Sequence, residues 1–280
     1  MVQEFNETVN ALWRGSIDIH VHAAPDPIAA RRMDVLEMAH AARDAGMKAV
    51  IFKSHEYPTV PVAYVVNRSL ADFTVFGAIS LDDEVGGLNP AALEASARMG
   101  AAKVWMPTFS ADYWSTTRHN RPGIKVLDEQ DRLLPRVHEI LDIVGRYDMI
   151  LGTGHLWPEE QVALVKEAGK RGLKTVVTHA DMWIPVELQV EMARLGAFIE
   201  HAYLGCLPSA GYYTVQQVAA AVRAAGPAAC IMSTDLGQAH NPAPAEGLRM
   251  FIAAMLREGF TPNEVELMVK RNPSQLLGLE

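Results

Sequence analysis

Six of the ten histidines in this 280-residue chain fall where short apolar runs end. Imidazole is the side chain best suited to bind a metal through a neutral nitrogen or to move a proton near neutral pH. The densest case is Asp18-Ile19-His20-Val21-His22. In an extended strand, side chains two apart share a face, so Asp18, His20 and His22 are expected together, with Ile17, Ile19 and Val21 opposite. Two imidazoles about 7 Å apart along one face can converge on a single ion. A strand ending in two histidines by accident would look the same, so the other histidines decide. His55, His155, His179 and His201 each follow a further apolar run, and the last such run leads into Asp235. Nitrogen and carboxylate donors of this kind suit a borderline divalent cation. His40 and His138 lie in predicted helices, and His119 and His240 in loops.

These residues need a scaffold that brings strand ends together. Predicted strands span 16–22, 48–53, 73–80, 102–106, 149–153, 173–178, 197–200 and 229–234, with amphipathic helices between them. Helix signals are clear: Asp34 as N-cap with Glu37 three residues on and Gly46 closing, Asn89-Pro90 opening a helix that ends before Gly100, and Pro158 and Pro185 opening two more. Eight strands alternating with helices predict an α/β protein with a parallel sheet. A dinucleotide-binding sheet would want a glycine fingerprint after its first strand, whereas this strand runs into Ala23-Ala24-Pro25-Asp26-Pro27. The expectation is therefore a (β/α)8 TIM barrel, whose strand C-terminal ends carry the active site. An N-terminal arm is expected over residues 1–14 and a single barrel domain over 15–280. The connection 107–134 is too long for a plain loop and carries Tyr113, Trp114, Arg118, His119 and Arg121. It is expected to form a lid after strand 4, with a small hairpin over 123–131.

Composition narrows the class further. With 49% hydrophobic and 21% charged residues the chain can bury a large core, and a net charge of −8 argues against a nucleic-acid surface. Two cysteines are too few for a disulfide framework, so a reducing cytoplasm is expected. Residues 1–12 carry Glu4 and Glu7 without an apolar core, which predicts no signal peptide, and no run is long enough to span a bilayer. A small-molecule substrate is expected, with no nucleic acid or membrane as partner; homo-oligomerisation is a base-rate expectation only.

The ordered set of His-x-His after the first strand, single histidines after the fifth and sixth and an aspartate after the eighth resembles the amidohydrolase superfamily of metal-dependent hydrolases. The resemblance runs from Ser16 to the closing Asn272-Pro273-Ser274-Gln275-Leu276-Leu277-Gly278-Leu279. Phe52-Lys53-Ser54-His55, Gly86-Gly87-Leu88-Asn89-Pro90, Val104-Trp105-Met106-Pro107-Thr108 and Thr153-Gly154-His155 look like an uncharacterised branch of it. The resemblance thus implies a fold and a chemistry but no substrate. It implies a divalent metal, zinc first with manganese or iron as alternatives, as one ion or two. His20, His22 and Asp235 would hold one ion. His155 and His179 would hold a second, or supply one ligand and one polarising group. Members with two ions often carry a carboxylated lysine or glutamate at the end of the fourth strand, where this chain has Trp105-Met106-Pro107-Thr108. Lys103 is too near the start of that strand, and Lys53 is the substitute candidate, as a carbamate or as a catalytic lysine.

Asp235, Lys53 and His55 are the expected catalytic residues, and Arg118, Tyr113, Trp105 and His201 the expected substrate contacts. Glu200 and His201 end one strand on opposite faces, so at most one points inward. Asp181 is expected to orient an imidazole. Asp26, Arg31 and Arg32, and the run Asp82-Asp83-Glu84, are expected on solvated faces, with binding of an anionic substrate the alternative for the two arginines. The implied reaction is hydrolysis of a small amide, cyclic amide or lactone by a metal-activated water, and no Gly-x-Ser-x-Gly elbow competes with it. Nonhydrolytic decarboxylation is the alternative, favoured if Arg118 or Arg121 reaches a substrate carboxylate. A noncatalytic barrel with a structural metal is the alternative of another class.

Overall fold

The computed structural model describes residues 2–279. Among the described residues, nine short parallel strands form two hydrogen-bonded ladders. The first contains β1 (Ile17–Val21), β2 (Ala49–Phe52) and β3 (Thr74–Phe76); the second runs in chain order through β4 (Ala78–Ser80), β5 (Lys103–Trp105), β6 (Ile150–Gly152), β7 (Thr175–Val177), β8 (Phe198–Ala202) and β9 (Cys230–Ser233). β3 and β4 are two halves of one strand interrupted at Gly77, β3 pairing with β2 and β4 with β5. The residue at the break has to be glycine, because a Cβ there would lie 2.4 Å from Val60 Cα. The other seam is closed by His22 N donating to Leu236 O (2.8 Å), Asp235 N donating to His20 O (2.9 Å) and a parallel bridge between Val21 and Leu236. Asp18 clamps this seam from inside the protein, accepting from Thr234 Oγ1 (2.6 Å) and Thr234 N (3.1 Å). The result is the expected eight-stranded α/β barrel.

Ile17, Ile19, Ala49, Ile51, Ala78, Trp105, Ile150, Val176 and Ile231, drawn from seven strands, fill the barrel interior. Val50, Phe52, Val75, Val177 and Met232 instead pack outward against the helices. Burying each large aliphatic of this kind contributes about 1.5–3 kcal/mol. The strict alternation expected for β1 fails. Asp18 pairs with Val50 and Val21 with Phe52, so three steps on β1 match two on β2 and one residue is bulged. The bulge lets Ile19 stay in the interior while His20 also turns inward, and Val21 returns to the outer face. Asp18 is thereby left at the seam rather than beside the two histidines.

Helices form where their signals lie. α1 (Val2–Trp13) buries Val9 and Leu12, and Trp13 Nε1 donates to Ala245 O (2.9 Å), so the arm is a helix docked on the barrel. α2 (Val35–Asp44) starts on a complete capping box between Asp34 and Glu37. α3 is Val60–Asn67, and α4 (Pro90–Arg98) is capped by the Asn89 side chain. The 107–134 excursion is not a bare loop. It contains α5 (Asp112–His119), tied down where Asp112 accepts from Gly123 N (3.0 Å) and Trp157 Nε1 (2.9 Å). The hairpin expected over 123–131 appears as one antiparallel bridge, Leu127 with Leu133. α6 (Pro135–Arg146) buries Val137, Ile140, Leu141 and Val144 at helical spacing. α7 (Pro158–Lys170), α8 (Val186–Arg194), α9 (Val215–Ala225) and α10 (Pro244–Arg257) complete the outer layer, and α11 (Pro262–Glu266) and α12 (Asn272–Leu277) end the chain. Among the described residues no helix is long and apolar enough to cross a membrane.

The break at Gly77 generates a stability prediction. Gly77→Ala should destabilise the protein by about 1–3 kcal/mol through overpacking against Val60, read as a lowered urea midpoint with an unchanged slope.

Candidate active site

The strand C-terminal ends surround a cavity of about 280 Å³. His22, Lys53, His55, His155, His179 and Asp235 line it. His20 lies fully buried immediately beneath. Asp235 Oδ1 is 3.1 Å from His20 Nε2 and 3.1 Å from His22 Nε2. These three residues offer ligand atoms that all lie within 4.8 Å of one another. Donors of a tetrahedral ion at 2.0–2.1 Å sit about 3.3 Å apart, so the spacing fits a divalent cation. Orientation fits as well. His20 Nδ1 donates to Glu200 Oε1 (2.8 Å), which leaves Nε2 as the lone-pair nitrogen, the usual carboxylate–histidine arrangement of metal sites.

Two of the site residues adopt backbone that L-residues rarely use, His179 at φ 27° and Asp235 at φ 55°. Both lie two residues past a strand end, and such local strain is typical of sites whose surroundings hold it in place. His155 is set by Gly154, at φ 66°, where a Cβ would lie 2.3 Å from Met106 O. His155 and His179 face each other with Nε2 atoms 3.0 Å apart, and the buried Nδ1 of each has no protein partner among the described residues. They form a pair adjacent to the three-residue cluster rather than part of it.

The charges are strongly conditioned by burial. Burial opposes the Asp235 carboxylate, but the facing His20 and His22 outweigh it and hold its pKa well below the usual range. Burial lowers His22 to about 3 and His179 to about 4, and takes His155 and His55 well below the ordinary value, so all four are neutral, as ligation and general-base work require. Burial also lowers Lys53, whose Nζ is 3.2 Å from His20 Nε2. Lys103 is lowered to about 8 by burial; it stays under the cavity, its Nζ 4.1 Å from the Trp105 ring centre. Glu200 is lowered: burial would raise it, but Lys103 and His20 keep it ionised.

His55 has a support that sequence reading missed. Its Nδ1 donates to Thr108 Oγ1 (2.6 Å), and Thr108 Oγ1 donates in turn to Asp82. Asp82 is fully buried rather than solvated and also accepts from Thr108 N (2.8 Å) and Ser110 N (2.9 Å). This chain fixes the tautomer and leaves His55 Nε2 with its lone pair. Glu200 was legible only as one of two opposite-facing residues. It points inward and links β1, β7 and β9 through His20, His179 N (3.3 Å) and Ser233 Oγ (2.7 Å). Arg31 is also inside, not on a solvated face; it lines the cavity with its side chain 6% exposed.

Three expected substrate contacts are corrected. Trp105 is fully buried in the barrel interior under His20, because its strand position faces the axis below the rim. Tyr113 is turned onto Trp157 and Trp183, outside the cavity lining. His201 lies on the outer face of β8, where Nδ1 bonds Asp181 Oδ2 (2.7 Å) and Nε2 approaches Cys230 Sγ (3.4 Å). Asp181 therefore orients His201 and not His179. Arg118 is exposed, packed on the rings of Trp114 and Tyr212 at the cavity rim. Phe109 and Trp114, also from the 107–134 excursion, do line the cavity.

With this geometry in place, the likenesses to known proteins fall into line. The chain belongs to the family described as "Family of unknown function (DUF6282)", whose model matches residues 15–200. The phosphotriesterase family model matches residues 146–277. No curated protein matches the chain. An amidohydrolase from Pseudomonas aeruginosa superposes with a TM-score of 0.71 at 12% identity, covering 98% of each chain. A putative 2-pyrone-4,6-dicarboxylic acid hydrolase from Pseudomonas putida superposes at 0.64 with 13% identity, over 95% of this chain and 98% of that one. A 2,6-dihydroxybenzoate decarboxylase from Rhizobium superposes at 0.56 with 15% identity, over 95% and 99%. At these identities the superpositions speak to the fold. The resemblance to the amidohydrolase superfamily read from the strand ends is met by the family match and by these folds together.

Two predictions follow from the electrostatics. If His20, His22 and Asp235 hold a divalent cation, Glu200→Gln should weaken its affinity about 10- to 100-fold by loosening His20; a competitive chelator titration measures this, and unchanged affinity would contradict the role. For His201, burial would lower the pKa, but the Asp181 carboxylate and Cys230 raise it to about 10. A raised value stabilises the fold fully below the unfolded value near 6.5, and that contribution is lost as pH rises through about 10. The stability difference between wild type and His201→Gln should therefore shrink between pH 6 and pH 10 in urea denaturation.

Proposed function

We propose that the protein is a metal-dependent hydrolase that cleaves a small amide, cyclic amide or lactone, with zinc held by His20, His22 and Asp235. The observation that carries this reading is the convergence of two His Nε2 atoms on one carboxylate oxygen at the floor of an accessible cavity. A cation in that position acidifies water and polarises a scissile carbonyl. Three protein donors, rather than four, leave room for water, which favours a catalytic over a purely structural site.

The chain's own residues supply the remaining chemistry. Asp235 is ionised and only 13% exposed, at the boundary between the buried histidines and the cavity. It accepts the proton of the attacking water and returns it to the leaving nitrogen or oxygen. His55, held in one tautomer through Thr108 and Asp82, offers a second neutral base on the same wall. His155 or His179 donates to the developing oxyanion, and Lys53 beside His20 supplies positive charge or, as a carbamate, a further ligand. Phe109 and Trp114 cover the substrate and limit its size.

Decarboxylation is a second reading, and a specific observation favours it. A buried guanidinium, Arg31, faces the cavity, although the rim residue Arg118 and the exposed Arg121 are not the ones that supply it. The fold is shared with both a hydrolase of 2-pyrone-4,6-dicarboxylic acid and a decarboxylase of 2,6-dihydroxybenzoate. A panel of lactones, cyclic amides and aromatic acids, scored for acid release and for carbon dioxide, separates the two reactions.

Removing metal with a chelator should abolish turnover of any substrate found, and zinc should restore it. Asp235→Asn should lower kcat by about 10²-fold or more, as expected for loss of the proton carrier; full activity in metal-free protein would end the hydrolase reading.

A further inference from the structure

We propose that Arg31 anchors a carboxylate of the substrate, and that the substrate is a small, aromatic or otherwise unsaturated, carboxylate-bearing ring compound. This rests on reading the cavity as the substrate site. Arg31 is built to present one edge. Its Nε (2.8 Å) and Nη2 (2.6 Å) both donate to Asp26 Oδ2. Asp26 is itself fixed, its Oδ1 accepting from Ile28 N (2.9 Å) and Ala29 N (2.7 Å). The guanidinium is therefore held rigidly although it sits in a loop.

The opposite edge is unspent. Among the described residues Nη1 has no protein acceptor, and the only other contact of Nη2 is a long one, 3.4 Å, to His22 Nδ1. The neighbouring Arg32 shows what a loop-tying arginine does here: its Nη1 donates to Asn241 O (2.8 Å) and Ala239 O (3.3 Å). Arg31 makes no such contacts and lines the cavity instead. A planar fork with a free N–H on Nη1 and one on Nη2 held only by the long His22 contact is the complement of a carboxylate, and the paired bond is charge-assisted on both sides. Glu56, the other acid on this wall, already accepts from Ser54 Oγ (2.8 Å).

Ring recognition comes from the same cavity. Phe109 stacks on His55 with ring centres 3.8 Å apart and remains 37% exposed, and Trp114 lies 5.3 Å from Phe109. The aromatic wall these rings form favours an aromatic or otherwise unsaturated ligand. The Arg31 edge beside His22 places the anchored carboxylate next to the reacting cluster, so that the ring carries the bond to be attacked.

The test uses the full chain after chelation, so that no bound metal can hold the carboxylate, and compares benzoate with its neutral analogue benzamide by calorimetry. Benzoate should bind at least about 10-fold more tightly than benzamide, as a charge-assisted pair predicts. Arg31→Gln should cost benzoate at least about 10-fold and leave benzamide unchanged, and Arg31→Lys, which keeps the charge but not the fork, should fall between. Equal binding of the two probes, no binding of benzoate to wild type, or full benzoate affinity in either variant would overturn the proposal. Because the readout needs neither metal nor turnover, failure of the hydrolase reading leaves this result standing, and the reverse also holds.

Discussion

The carboxylate of Asp235 is shared between two buried imidazoles at 3.1 Å each, and the rest of the site follows from that constraint. An ionised carboxylate at this depth is tolerated only when opposite charge or strong donors surround it. His22 is neutral and can give it at most one N–H, while His20, which burial would lower but Asp235 and Glu200 raise, is contested by two carboxylates, its Nδ1–H going to Glu200. A divalent cation among the three groups resolves this frustration, since it takes both nitrogen lone pairs and the carboxylate together. The surrounding charges read the same way. Glu200 and Asp235 are offset by Lys53 and Lys103, one beside the cluster and the other beneath it, and both lysines are weakened as cations by burial.

The fold provides this convergence through local departures from regularity. The β1 bulge turns His20 inward without displacing Ile19 from the interior. The left-handed backbone at Asp235 and His179 turns each residue out of its strand and toward the axis. Hydrogen bonds between residues 20–22 and 234–236 close the barrel at the same point. Barrel closure and the candidate metal centre are therefore one structural feature, and a change that opens the seam also disperses the donors.

Much of this was legible in the sequence. The strand order, the helix caps at Asp34 and Asn89 and the gathering of five of the six strand-end histidines at one site follow from apolar periodicity and capping chemistry, which are local; His201, the sixth, lies on the outer face of β8. What was not legible depends on register and on three-dimensional neighbours. Strict alternation cannot reveal a bulge, so Asp18 was expected beside His20 and His22. It cannot choose which of Glu200 and His201 faces inward either, and the inward residue is Glu200. Trp105 and Tyr113 carry the composition of a substrate wall, yet one is below the rim and the other is held by Trp157 and Trp183. Arg31 and Asp82 read as solvated because charged residues in loops usually are; their burial is created by Asp26 in one case and Thr108 in the other.

The central claim is that His20, His22 and Asp235 form one cation site. Anomalous diffraction at the zinc edge from crystals grown with stoichiometric zinc tests it most directly. A single dominant peak is expected about 2.0–2.2 Å from His20 Nε2, His22 Nε2 and an Asp235 oxygen. A dominant peak elsewhere, with these three side chains unchanged and unligated, would contradict it.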